Sequence, residues 1–472
     1  MTNKKLAKTD LSNIWSSNSG VIPVSNLTKR IKSGQFKIAI FGLGHVGAPM
    51  ASAWLRAGAH VIGVDKSPSV IQNAIIGKTH VPEPGVDNAF SKGLDEKRFD
   101  VYKDPVAASY DSFFKMICVP VLASNRSADL AAVKDVASAI GRGIKKGDVV
   151  SLNASVPPGT TEDIVLPIIE KESEENLRVE SDFYMIYNPE RIYEGRAIED
   201  IENRYPAIIS GVGSKSLQIA SEIYSLICRK GTISMSSIKA AETEKLLEGV
   251  YRDANIALAN ELAKYCEKIG VDFWEAREAA NSQPFCHLHK PGIGVGGACI
   301  PVYPQFIIHS ADKVGIDCRI TKLARTINDS MPVYVVQQAT QLLNRKGGKA
   351  KNVAGSVVTL LGIAFRGGVS DTRLSPTYAV IKEFQRLKAR QIRVHDPLVK
   401  RDEQLKYYEN VILTSDLAES LKGTDLILIV ADHPEYSHLT PEQFLGVPVY
   451  DGRGLLDKSK FRSTRFAVIG GG

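Results

Sequence analysis

KIAIFGLGHVGAPMASAWLRAGAHVIGVD, residues 37–65, decides the fold. It reads as apolar strand, glycine turn, helix-forming stretch and second apolar strand, and it ends on an acid. Gly42-Leu43-Gly44-His45-Val46-Gly47 has the GxGxxG spacing between strand and helix. In such a turn the first glycine permits the tight bend and the second lets backbone amides approach a pyrophosphate. The third lets the helix pack close to the strand. Asp65 follows Gly42 by 23 residues, where a carboxylate accepts from a ribose 2′-hydroxyl. The next residue is Lys66 rather than arginine, so the pattern favours NAD over NADP.

Working outward, FFKMICVP, DVVSLNAS, DFYMIYNP and PAIISGVG repeat short apolar runs at helix-length intervals, the signature of βαβ units on a parallel sheet. Residues 1–35 are polar and aperiodic and read as an N-terminal extension, a tail or a short helical appendage. Residues 36–213 then form a dinucleotide-binding Rossmann domain. Residues 214–345 change character. IKAAETEKLLEGVYRDANIALANELAKYCEKIG has apolar residues at three- and four-residue spacing, no proline, and Gly270 as its C-cap. A second helical stretch covers 322–345, as one helix or as two abutting at Met331-Pro332. From 346 to 472, SVVTLLGIAF, QIRVHDP, TDLILIVAD, PVYDG and RFAVIG restore the strand-helix alternation. The expected fold class is therefore α/β: two Rossmann-like doubly wound lobes joined by a long-helix central domain. A cleft between lobes is expected, with ligands at the carboxyl ends of the strands.

Composition narrows the function. The 472 residues are 44% hydrophobic and 24% charged, ordinary for a globular chain of several domains. The net charge of +7 is spread over many elements and gathers into no basic stripe with interleaved aromatics, so no nucleic-acid partner is expected. No apolar run reaches the roughly 18 residues of a membrane span, and the N-terminus lacks a secretory apolar core; the expected compartment is the cytoplasm. Six cysteines without a CxxC pair read as free thiols. Cys286, His287 and His289 crowd one loop with no second cluster, so no metal is expected.

Further motifs follow in order: EPG at 83–85, NPERIYEGRA at 188–197, AETEKLLEGVYRDANIALANELA at 241–263, GVGGACIP at 294–301, ARTINDSMP at 324–332 and GIAFRGGVSDTRLSP at 362–376. Over residues 36–460 the chain resembles the UDP-glucose/GDP-mannose dehydrogenase family. It looks most like the branch acting on UDP-N-acetylhexosamines such as UDP-N-acetylmannosamine. The resemblance implies oxidation of the sugar C6 from alcohol to carboxylate by two hydride transfers to NAD, for polysaccharide biosynthesis. A thiolate holds the aldehyde as a thiohemiacetal, because a free aldehyde hydrates and escapes, and the thioester formed next is hydrolysed.

Cys299 matches the family nucleophile, at a loop-to-helix junction where amide dipoles favour a thiolate. Gly296 and Gly297 let the backbone approach the substrate closely. Lys245 matches the lysine facing the developing oxyanion. Glu190 matches the glutamate that handles protons in hydrolysis. Glu194, four residues on, is expected beside it on a short turn or helix, each carboxylate raising the other's pKa. Ser155 replaces a threonine and keeps the hydroxyl that holds water near the cofactor, where Val119 and Pro120 also belong. Arg191, Arg252, Gly294 and Phe365 match substrate-side positions. Arg366 and Arg373 match basic positions near the uridine or pyrophosphate.

The pattern also departs from the family. Tyr303 stands where the family has an aspartate, Gly249 where it has an asparagine, one turn after Lys245, and Ala298 replaces a larger residue. Asn153 and Val121 replace a glutamate and a threonine. Three outcomes stay open at this point: the full two-step dehydrogenase, an NAD-using enzyme of altered outcome (single oxidation, epimerase or lyase), and a non-catalytic nucleotide-sugar binder. The helix face of Leu246, Val250, Ile256 and Leu258 reads as the core of a homodimer, or as a face buried within one chain.

Overall fold

The computed structural model describes residues 24–124, 127–344, 352–444, 446–461 and 465–471. The chain divides into two compact units at Leu246/Leu247. In the first, β1 (Lys37–Phe41), β2 (His60–Val64), β3 (Phe99–Tyr102) and β4 (Phe114–Ile117) precede a small antiparallel pair, β5 (Leu122–Ser124) and β6 (Ser127–Asp129). Then come β7 (Val149–Leu152), β8 (Tyr184–Tyr187), β9 (Ala207–Gly211) and β10 (Thr232–Ser234). Apart from the antiparallel pair they form one sheet in the order β10-β9-β8-β7-β4-β1-β2-β3, parallel throughout except between β8 and β9. Strand order reverses between β1 and β4, and the ends of these two strands make the switch point at which such sheets bind ligands.

The uninterrupted apolar strands of the sequence are explained by burial on both sheet faces. Ile38 and Ile40 of β1 join a core with Trp54 and Phe114, whereas Ala39 and Phe41 join another with Ile140 and Leu152. Of the N-terminal extension, Val24–Lys32 is a helix that buries Leu27 and Ile31, one turn apart, in the first of these cores. Residues 1–23 lie outside the described residues.

The long helix Ile238–Ile269 continues into the second unit and ends at Gly270, whose φ of +72° is the left-handed cap read from the sequence. Its apolar face differs from the expected one: Leu246 is fully buried and only Leu258 of the four named residues is exposed. The exposed apolar stripe is instead Leu247, Tyr251, Leu258, Tyr265 and Ile269, which shares Leu258 alone with the expected face. The second helix is single, Arg319–Asn344, and passes through Pro332. Proline has no amide to give the carbonyl of Asn328 one turn earlier. At that point Gly294 packs against the helix, with its Cβ direction 3.3 Å from that carbonyl oxygen and 3.5 Å from Pro332 Cδ.

The second sheet comprises β11 (Val357–Leu361), β12 (Gln391–His395), β13 (Val411–Thr414), β14 (Leu426–Ile429), β15 (Val449–Asp451) and β16 (Phe466–Val468). Their order is β13-β12-β11-β14-β15-β16, all parallel. The acids of HDP, ADH and DGRG, at the ends of three of these strands, accept from backbone amides. Asp396 accepts from Ile363 (2.8 Å), Ala364 (3.1 Å), Leu398 (2.9 Å) and Val399 (3.0 Å), and His433 Nε2 donates to it at 3.1 Å. Asp451 accepts from Arg453, Leu455 and Leu456, and Asp432 from Gly367 and the Arg453 guanidinium.

Burial alone raises the Asp396 carboxyl, but the His433 hydrogen bond and charge and the Ile363 and Ala364 amides bring it from the ordinary 3.8 down to about 2. A folded value below the unfolded one stabilises the protein above about pH 4, and the contribution is lost as pH falls toward 2. It amounts to ~2–3 kcal/mol. Asp396→Asn is expected to lower the melting temperature at pH 7 and to flatten its decline between pH 4 and pH 2. Parallel acid limbs for both proteins in thermal unfolding would refute the assignment.

Candidate active site

The glycine turn follows β1 and opens the helix Gly47–Arg56. Gly42 has φ +96°, and a Cβ there would lie 3.1 Å from the carbonyl of Cys118 on the neighbouring strand end. A Cβ on Gly47 would lie 1.7 Å from the Gly42 carbonyl oxygen, so only glycine closes this turn. A Cβ on Gly44 would meet nothing within 4 Å. The open approach over Gly44 fits a pyrophosphate at the start of the helix. Leu43 and Val46 point the other way, Leu43 fully buried and Val46 against the same core. Asp65 accepts from the Leu43 amide (2.9 Å) and the Ser67 amide (2.8 Å), which fixes its carboxylate beside the turn, while Lys66 is exposed.

His45 lies 3.1 Å through Nε2 from the carboxylate of Glu194. The short turn or helix expected to set Glu194 beside Glu190 does not form. Residues 188–193 are irregular, and Glu190 accepts from the Ile192 amide instead. The motif around them is held by Glu83 of EPG, which is buried and accepts from the amides of Gly195 (2.8 Å) and Ala197 (2.7 Å). Arg191 stacks over Tyr205 at 5.5 Å. Val119, Pro120 and the half-buried Val121 follow β4, and the half-buried Ser155 follows β7. Asn153 is a fully buried tie, donating to Asn188 and to the hydroxyl of Tyr224, which accounts for a neutral amide there.

Lys245 is buried, one turn after Glu242 on the long helix. Glu242 accepts from the Gly159 amide (2.5 Å), the Thr161 amide (2.8 Å) and the Thr161 hydroxyl (2.7 Å), and so fastens the PPGTT loop to the helix. Burial raises its carboxyl against those hydrogen bonds.

In the second unit Cys299 is the exposed thiol of six; the others are buried or half-buried. Its carbonyl accepts from the amides of Val302 and Tyr303, both at 3.0 Å, at the entry to the helix Tyr303–Lys313. The close approach expected at Gly296 and Gly297 is made to the protein itself. A Cβ on Gly296 would lie 2.8 Å from Leu374 O, Phe365 Cβ and Pro376 Cδ, and one on Gly297 would lie 3.1 Å from the Phe365 ring. The Gly297 amide donates to Arg373 O at 3.0 Å. These contacts bring Phe365 and Arg373 to the cysteine loop. Arg373 makes a forked pair with Asp371 (2.9 and 2.5 Å), and Arg366 lies over Phe365 at 5.6 Å. Arg252 is exposed; together with burial, which acts first, it lowers the His289 imidazole.

Residues without an assigned role in the sequence reading carry the loop. Asp253 accepts from Arg325 (2.6 Å) and Asn328 (2.8 Å), and Asn260 donates to Asn328 (3.0 Å) and accepts from the Gly292 amide (2.8 Å). The signal was present as the ARTINDSMP and IALANELA motifs. Its meaning lies in partners 32 to 75 residues away.

Residues 36–228, 239–330 and 359–458 match, in turn, the NAD binding, central and UDP binding domains of one family. The chain belongs to the UDP-glucose/GDP-mannose dehydrogenase family. Its first unit therefore carries an NAD-binding domain, and the chain is an oxidoreductase of that family. It is 32% identical to the UDP-N-acetyl-D-mannosamine dehydrogenase of Pyrococcus horikoshii over 86% of this chain and 91% of that one. To the NDP-N-acetyl-D-galactosaminuronic acid dehydrogenase of Ralstonia solanacearum it is 30% identical, over 89% and 96%. The solved UDP-D-ManNAc dehydrogenase structure from Pyrococcus horikoshii superposes with a TM-score of 0.83 at 30% identity, covering 92% of this chain and 99% of that one. Among the described residues, no helix of this dehydrogenase is long and apolar enough to cross a membrane.

Proposed function

We propose that this dehydrogenase oxidises C6 of a UDP-N-acetylhexosamine to the uronate, with UDP-N-acetyl-D-mannosamine the first substrate to test, as a cytoplasmic homodimer. The single observation that carries the reading is Cys299: the one exposed thiol sits on a loop packed against Phe365 and Pro376. The names of the relatives and the UDP binding domain support the substrate class.

Gly42, Gly44, Gly47 and Asp65 would hold NAD, which would supply the hydride acceptor for each of the two oxidations between alcohol and acid. The Cys299 sulfur adds to the aldehyde carbon, forming a C–S bond and a thiohemiacetal; loss of hydride and of the hydroxyl proton leaves a thioester. Water then breaks the C–S bond and returns the thiol. Lys245 stabilises the oxyanion, Ser155 holds the water and Glu190 takes its proton. Arg366 and Arg373 bind the diphosphate, Arg373 already oriented by Asp371. The exposed stripe Leu247, Tyr251, Leu258, Tyr265 and Ile269 supports a second copy docking along the long helix.

The test supplies NAD and a panel of UDP- and GDP-sugars and counts NADH against sugar consumed. Two NADH per sugar and a uronate product are expected. One NADH per sugar, or consumption without net NADH, replaces this reading with a single oxidation or an epimerase. Binding without turnover removes it.

A further inference from the structure

Gly249 is an interior residue of a 32-residue helix, and at such a position glycine costs about 1 kcal/mol relative to alanine. Its φ is not in the left-handed region, so the backbone does not ask for glycine. The packing does. A Cβ on Gly249 would lie 2.5 Å from Cδ2 of Tyr303, 3.0 Å from its Cβ and 3.1 Å from its Cγ. Turning the ring away relieves the first contact but not the second, because Tyr303 Cβ moves only with its backbone. That backbone is the first residue of its helix, 6% exposed, and its amide and that of Val302 both donate to the Cys299 carbonyl.

We infer that Gly249 and Tyr303 are one steric pair, and that Tyr303 is a positioning residue for Cys299. The two departures from the family pattern, 54 positions apart in the sequence, are a single event in space. The tyrosine ring is seated only because residue 249 has no side chain. The opposite end of the loop is anchored at Gly292, Gly294 and Gly297, so a shift of Tyr303 is taken up at Cys299. The inference rests on Cys299 as the reacting thiol.

The test is a double-mutant cycle read by iodoacetamide alkylation of Cys299 against pH, located by peptide mass, with NADH production as a second readout. Alkylation needs neither sugar nor turnover. Gly249→Ala is expected to change the alkylation rate about tenfold and to lower NADH production by about 10–100-fold, since misplacement on the order of 1 Å costs that much. In the Tyr303→Gly background, which removes the Cβ as well as the ring, the same change is expected to alter either readout less than about twofold, the non-additivity of residues in contact. If Gly249→Ala does not fold, recovery of folded protein by adding Tyr303→Gly supports the pair, and failure to recover overturns it. Equal effects of Gly249→Ala in both backgrounds also overturn it. Coupling in alkylation without NADH from any sugar leaves the pair standing and removes the dehydrogenase reading.

Discussion

Cys299→Ser is expected to lower uronate formation by roughly a thousandfold or more, with NAD affinity unchanged. The serine hydroxyl is nearly isosteric but far less nucleophilic at neutral pH, so the aldehyde is not trapped and the second oxidation has no thiohemiacetal to act on. Cofactor binding survives because the glycine turn and Asp65 are built wholly within the first unit. The measurements are product analysis after single and multiple turnovers, and NAD titration by fluorescence. NADH formation is expected to fall from two per sugar toward one at most, with the aldehyde or its hydrate released. A serine variant making the acid at the parent rate would refute the covalent route.

Lys115→Met is expected to destabilise the first unit by about 3–5 kcal/mol, because it strands a charge in the core. Lys115 and Asp148 are both fully buried, 2.7 Å apart, with Lys115 also donating to Ser112 O (2.7 Å). Burial lowers the lysine to about 8 and raises the aspartate, so each charge persists through the other. One Asp148 oxygen has no hydrogen-bond partner, and removing Lys115 leaves the other with the Lys145 amide alone. Lys115→Met combined with Asp148→Leu is expected to recover most of the loss, since an apolar pair of similar volume avoids the desolvation penalty. Urea unfolding of the two single variants and the double variant checks this. Additive losses, with the double variant the least stable, would show that the pair acts through packing rather than charge.

Tyr303 and Gly249, which the resemblance marks as departures, illustrate how far the sequence alone reaches. Read separately, Tyr303 is a lost carboxylate and Gly249 a lost amide. Only the fold shows that one residue makes room for the other. The same holds for Glu194, whose pairing with His45 no local pattern announces, and for the acids of HDP, ADH and DGRG, which accept from backbone amides.

What the sequence by itself determined is whatever local chemistry dictates. The apolar runs specify parallel strands buried on both faces, GxGxxG specifies the cofactor turn, the three- and four-residue spacing specifies the long helix, and Gly270 ends it. What only the tertiary structure decided depends on partners distant in the chain. Examples are a helix running unbroken through Pro332 against Gly294, the Asp253–Asn328–Asn260 scaffold under the cysteine loop, and which apolar residues of the long helix stay exposed. The physical reason is range: backbone propensity and periodicity act over a few residues. Steric fit and hydrogen-bond satisfaction in a close-packed interior act between whichever residues the fold brings together.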